Sequence, residues 1–104
     1  MPLSRSIDSA VSTLAHLNFV GDSIKGADVN VEAGAVVANH YNERRNKEIR
    51  VYIRGQEIRS GVEKFGAVIG DHCRLGANAV LSPGTVLEPN AVVSRLALVN
   101  QAPE

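Results

Sequence analysis

From Ile69 onward every sixth residue is a branched aliphatic one: Ile69, Leu75, Leu81, Leu87, Val93 and Val99. Four places after each of the first five stands a small residue, namely Cys73, Ala79, Thr85, Ala91 and Ala97. A period of six fits neither the three-and-four spacing of an amphipathic helix nor the strict alternation of a half-buried strand. Gly70, Gly76, Pro83, Gly84 and Pro89 would also break a helix drawn through this stretch. The period predicts a triangular coil in which each hexad supplies one short flat strand and one corner. The aliphatic residue fills the bore, the small one lets the chain turn tightly, and the polar residues between them face water. Three hexads close one coil, and a coil buries its face only against its neighbours, so coils are stable only in stacks. Hydrophobic residues are 44% of the chain but aromatics only 4%, with no Trp, which suits a bore of thin aliphatic layers.

Upstream, Phe19, Val31 and Val37 fit the same frame, whereas the bore position between them falls on Lys25, beside Ile24. Either the frame slips by one residue there or the lysine turns its ammonium outward. Earlier still, Ile7, Val11, Thr13 and Leu17 can continue the coil, yet Ile7, Ala10, Val11, Leu14 and Leu17 also sit at helical spacing behind a possible Ser6 cap. The frame breaks between Val37 and Ile69. Asn39 to Glu48 is polar and reads as a loop thrown out of the stack. Glu48 to Ile53 and Gln56 to Arg59 then alternate apolar with charged about Arg54-Gly55, the pattern of a β-hairpin with a tight turn. The expected architecture is all-β: one hexapeptide-repeat parallel β-helix domain over 1–104, interrupted at about 39–66 by an inserted loop and hairpin. Loops that leave a solenoid on one side commonly build its binding surface.

A chain of 104 residues is the size of one small domain. Eleven basic side chains balance eleven acidic ones, so no global field points to nucleic acid. No apolar run approaches a membrane span, and Met1 to Ser6 lacks the apolar core of a secretion signal. The single cysteine offers no disulfide framework, and its inward position predicts a buried, inert thiol. A cytoplasmic protein without nucleic-acid or membrane partners is the default. No two of His16, His40 and His72 stand at the close spacing a metal site would need, so no metal is expected. Glu43 to Lys64 holds seven of the eleven basic residues against four acids. That excess suits phosphate binding, of CoA or of a sugar phosphate, or else the solvated face of an alternating hairpin or ion pairs across a trimer.

His16-Leu-Asn-Phe-Val-Gly-Asp-Ser23, Val31-Glu-Ala-Gly-Ala-Val-Val-Ala-Asn39, Phe65-Gly-Ala-Val-Ile-Gly-Asp71 and Leu75-Gly-Ala-Asn78, in that order, resemble the C-terminal left-handed β-helix domain of bifunctional sugar-1-phosphate nucleotidyltransferases. These are enzymes of the N-acetylglucosamine-1-phosphate uridyltransferase/glucosamine-1-phosphate acetyltransferase kind, and the hairpin with Gly55 to Gly61 is similar to their archaeal type. The resemblance implies a homotrimer with acetyl-CoA sites between neighbouring prisms and an amino-sugar phosphate as acceptor. It implies His16 as the general base on the amine, a task that suits an imidazole titrating near neutrality. It further implies Asn39 and Lys47 as substrate-binding residues, and Ala33 and Ala77 as small positions where CoA approaches the backbone. The chain departs from the family at Phe19, where a Tyr is usual, at His40-Tyr41 after the Asn, and at Glu32, where a Gly is usual. The Gly-rich Arg/Lys loop of the nucleotidyltransferase domain is absent, so nucleotidyl transfer by this chain alone is not expected.

Taken without the resemblance, His16 is a polar corner residue of a coil. Two functions therefore stand: an acetyl-CoA-dependent acyltransferase acting on an amino-sugar phosphate or related amine, and a non-catalytic trimerisation or regulatory module derived from such a domain.

Overall fold

The computed structural model describes residues 23–104. Within them the chain forms three stacked coils. Strands β1 (Ile24–Lys25), β2 (Asn30–Val31) and β3 (Val36–Val37) make the first. The second holds β6 (Ala67–Ile69), β7 (Arg74–Leu75) and β8 (Val80–Leu81), and the third β9 (Thr85–Leu87), β10 (Val92–Val93) and β11 (Leu98–Val99). Each coil places one strand in each of three parallel sheets, ordered β1-β6-β9, β10-β7-β2 and β11-β8-β3. This is the parallel β-helix that the six-residue period predicts, and no helix occurs among the described residues. Nor is any helix among them long and apolar enough to cross a membrane.

The bore is filled by Ile69, Leu75, Leu81, Leu87 and Val93 in cross-coil contact, with Cys73 and Ala79 fully buried at the corners. The Cys73 Sγ lies 3.2 Å from the Glu88 carbonyl oxygen. Corners need a left-handed residue, and Asp28, His72, Asn78 and Asn90 supply it, polar types that tolerate positive φ. Leu96 takes the same conformation at φ 65° without that tolerance.

Lys25 pairs in register with Ile69, so the frame does not slip in the first coil; the residue is exposed. Its neighbour Ile24 packs on the outside of the first sheet, against a second core. There Val68 and Val86, the outward residues of β6 and β9, are covered by Tyr41, Ile49, Val51, Ile53 and Phe65 of the insertion between β3 and β6. The insertion carries an antiparallel hairpin of β4 (Arg50–Ile53) and β5 (Gln56–Arg59). Arg54 and Gly55 turn it with φ of 52° and 78°, the paired left-handed residues of a tight hairpin. Gly84 sits so close beneath the hairpin that an added Cβ would lie 2.7 Å from Ile49 Cγ2 and 2.8 Å from the Arg50 carbonyl oxygen. The hairpin is thereby seated on the corner before β9.

Candidate functional site

The outward positions of the three sheets differ, and this difference places the site. On the first sheet they are Ile24, Val68 and Val86, covered by the hairpin. On the third they are Val36, Val80 and Leu98, of which Val36 is 49% and Leu98 65% exposed. The second sheet presents Asn30, Arg74 and Val92 in register. Along this sheet and its corner toward the third runs an open groove of about 530 Å³, lined by Asn30, Glu32, Arg74, Gly76, Ser94 and Arg95 among others.

The corner itself is built from stacked turns. The Asn78 N–H donates to the Ala33 carbonyl at 3.2 Å, and the Leu96 N–H donates to the Ala77 carbonyl at 2.9 Å. Ala33, Ala77 and Arg95 thus follow one another on successive coils. Gly76 makes the last step possible, because a Cβ there would lie 2.5 Å from the Arg95 backbone nitrogen. The Glu32 carboxylate reaches up one coil and accepts a hydrogen bond from the Ala77 N–H at 3.1 Å. Arg74 and Arg95 are both exposed, and no hydrogen bond or ion pair from the described residues reaches either guanidinium.

Of the residues singled out from the sequence, Ala33 and Ala77 are brought together at this corner. Asn39 and Lys47 stand apart from it, in the insertion. The Asn39 carbonyl accepts from the Phe65 N–H at 3.0 Å, closing the insertion at its base. The Lys47 ammonium donates to the carbonyls of Tyr41 at 3.0 Å and Asn42 at 2.9 Å, tying its own loop together. His16 and Phe19, and the choice between coil and helix for the segment around Ile7 to Leu17, lie outside the described residues. Among the described residues no three His, Cys, Asp or Glu side chains gather to hold a metal ion.

The charged stretch around the hairpin is partly ion-paired within itself. The Arg59 guanidinium donates to Glu48 Oε1 at 2.8 Å, the Gly61 N–H donates to Glu48 Oε2 at 2.9 Å, and Arg50 stands 3.6 Å from Glu57. The bond from Arg59 above all, with that from Gly61, holds the Glu48 carboxyl below its ordinary range against an opposing effect of burial. Arg44 stacks over the Tyr41 ring, 3.7 Å from its centroid. Burial raises the Tyr41 phenol above its ordinary range, against the pull of Arg44 and Arg50. Two ion pairs, Arg59 with Glu48 and Arg50 with Glu57, thus engage two of the seven bases and two of the four acids of this stretch.

Arg74 and Arg95 were not recognised from the sequence. Both occupy polar positions of hexads, where a charged residue is the rule. Arg95 does stand three hexads after Ala77, and that spacing is the signal that would have found it.

Curated relatives match most of the chain. It is 41% identical over 91 residues to a bifunctional sugar-1-phosphate nucleotidylyltransferase/acetyltransferase of Sulfurisphaera tokodaii, which is 86% of this chain and 22% of that protein. It is 35% identical over 88 residues to the bifunctional protein GlmU of Methanococcus vannielii, 85% of this chain and 20% of that protein. It is also 35% identical over 85 residues to the bifunctional protein GlmU of a Synechococcus species, 81% of this chain and 15% of that protein. No family model matches the chain. Joined to the six-residue frame and the parallel β-helix it builds, these matches make the chain a homologue of one segment, about a fifth of the length, of the GlmU-type bifunctional sugar-1-phosphate nucleotidylyltransferase/acetyltransferases.

Proposed function

We propose that this chain is an acetyltransferase unit that uses acetyl-CoA to N-acetylate an amino-sugar phosphate or a related amine. The observation that carries the reading is its 41% identity, over 86% of its length, to a protein named for both nucleotidylyl and acetyl transfer. A β-helix of hexads without the Gly-rich Arg/Lys loop favours the acetyl-transferring half of that name. His16 takes the proton from the acceptor amine as its nitrogen attacks the thioester carbonyl. The C–S bond then breaks and His16 passes its proton to the departing sulfur, leaving the N-acetylated product and the free thiol of CoA. At the corner, Ala33 and Ala77 bear only methyl groups, so a thin pantetheine arm fits against the backbone there. Asn39 and Lys47 would contact the acceptor from the insertion.

The working form on this reading is a cytoplasmic homotrimer of the 1–104 unit. The exposed aliphatic side chains Val36 and Leu98, with half-buried Val80 between them, suit packing between prisms, and they border the Ala33–Ala77 corner, which would then line a cleft between copies. Sedimentation giving a stable monomer at micromolar concentration would remove that cleft.

One observation favours a second reading, a non-catalytic trimerisation or regulatory module. The Glu32 carboxylate already holds the Ala77 N–H, a backbone donor at the corner where the cofactor would lie. Calorimetric titration of the purified chain with acetyl-CoA separates the two. Saturable binding supports the acetyltransferase; no binding at millimolar acetyl-CoA supports the module.

A further inference from the structure

We propose that residues 101–103 form a clasp that keeps the open end of the stack from pairing with the same end of a second copy of this chain, and that Arg50 holds the clasp shut. In the second coil the outward residues send their N–H groups to the coil above: Arg74 donates to the Ala91 carbonyl at 3.0 Å and Val80 to the Ala97 carbonyl at 2.8 Å. Val92 and Leu98 stand in register on Arg74 and Val80, so their N–H groups point out of the end of the stack. Among the described residues no hydrogen bond takes up either of them. Val86 stands on Val68 in the same way, and of the three it is the one that is covered, by the Gln101 carboxamide. A strand edge with free N–H and carbonyl groups is a template for another chain.

Symmetry selects the occupant. In an antiparallel hydrogen-bonded pair the two facing residues exchange both of their N–H···O bonds. Val86 turns its N–H and its carbonyl to the same edge, as the two bonds to one carboxamide show, so Val86 of a second copy matches it. A twofold axis through that pair lays first sheet on first sheet and sets the second sheet of each copy on the third sheet of the other. Val92 then meets Leu98 of the second copy, two outward aliphatic residues that are 62% and 65% exposed in the single chain. The clasp stands in the way of this arrangement. Ala102 follows Gly66 and Gly84 at intervals of three hexads, so the chain sets out along the path of a fourth coil, yet residues 101–104 form no strand. Ala102 is buried instead, Arg50 donates to its carbonyl at 3.2 Å and to that of Pro103 at 2.8 Å, and Arg44 donates to the Asn100 side chain at 3.4 Å. The insertion thereby pins the clasp over the first sheet, where the second copy would have to sit. This device goes beyond acetyl transfer and does not rest on it.

The test compares the full chain with its Gln101→Ala, Gln101→Glu, Arg50→Ala and Gln101→Ala/Val92→Pro variants by sedimentation over a wide range of concentration, and by amide exchange at Val86. Gln101→Ala should speed exchange of the Val86 amide about tenfold or more, and its assembly should double in mass as concentration rises while the native chain keeps one mass. Arg50→Ala releases the clasp without touching Gln101 and should double likewise. Gln101→Glu can still accept from the Val86 N–H but cannot donate to its carbonyl, so it should fall between; with Arg50→Ala it decides the matter if Gln101→Ala does not fold. Val92→Pro removes an edge N–H at the first residue of β10, a place where proline is tolerated, and should abolish the doubling. One unchanged mass in the variants despite fast exchange at Val86 overturns the proposal. So does unchanged exchange in the Gln101 variants, or a doubling that survives Val92→Pro.

Discussion

The Gln101 side chain closes the first sheet on Val86. Its Oε1 accepts from the Val86 N–H and its Nε2 donates to the Val86 carbonyl, both at 2.9 Å. A carboxamide thereby satisfies both outward backbone groups of Val86, which a fourth strand would otherwise have to pair. Arg50 holds the segment in place by donating to the carbonyls of Ala102 at 3.2 Å and Pro103 at 2.8 Å, so the insertion grips the stretch that carries the cap. Gln101→Leu leaves a donor and an acceptor of nearly buried Val86 without these partners. We expect a loss of about 1–2 kcal/mol in urea unfolding. An unchanged midpoint would mean that water replaces the amide at no cost.

Leu81 is fully buried and lies in register between Val37 below and Val99 above. Leu81→Ala should therefore open a void in the middle layer and cost about 2–5 kcal/mol. Leu81→Asp would bury a carboxylate with no partner and should prevent folding at neutral pH. A soluble Leu81→Asp chain with a native melting curve would refute the bore.

Glu48 makes part of the stability depend on pH. Its folded pKa lies below the ordinary 4.5, because of the Arg59 hydrogen bond first and the Gly61 N–H after it. A depressed carboxylate contributes stability above its unfolded pKa, and the contribution disappears as the pH falls through the folded value. Glu48→Gln should thus melt below the native protein at pH 7 and converge with it as the pH falls through and below the ordinary carboxylate range. A gap that stays constant over that range would assign the effect to packing instead.

Leu96 occupies a left-handed corner at φ 65° with 72% of its surface exposed. Asn78, one coil earlier, solves the same turn with a residue that accepts that conformation. Leu96→Asn should raise stability by about 1 kcal/mol, since it relieves the backbone and loses little burial. A drop in stability that depends on protein concentration would show that the leucine is engaged between copies.

For the enzymatic reading, His16→Ala should reduce turnover by about a hundredfold or more while acetyl-CoA affinity stays close to native. Phe19→Tyr adds only the hydroxyl that the resembling family carries at this position and should raise acetyl transfer. Identical rates in both variants and the native chain would leave His16 without a part in the chemistry.

The repeat was legible because it is enforced by volume. A bore one side chain wide accepts only a branched aliphatic every sixth residue, so Ile69 through Val93 reveal the coil in any context. The hairpin was legible for a similar local reason, since Arg54-Gly55 between alternating runs fixes the turn. Lys25 was ambiguous, because a charged residue at a bore position is compatible with two registers until the Lys25–Ile69 pairing chooses one. The partners across the insertion were not legible at all. Nothing in the order of residues says that Val86 meets Gln101, that Ile24, Val68 and Val86 are roofed by the hairpin, or that Lys47 spends its donors on Tyr41 and Asn42. Arg74 and Arg95 were hidden for the same reason: a surface arginine looks alike in every hexad. The sequence by itself determined the coil, its period and the hairpin, because those follow from contacts between residues at fixed spacing. Only the tertiary structure decided which polar groups share a groove, because the corner that joins Ala33 to Ala77 and Arg95 is assembled across an insertion by backbone hydrogen bonds that no side-chain pattern encodes.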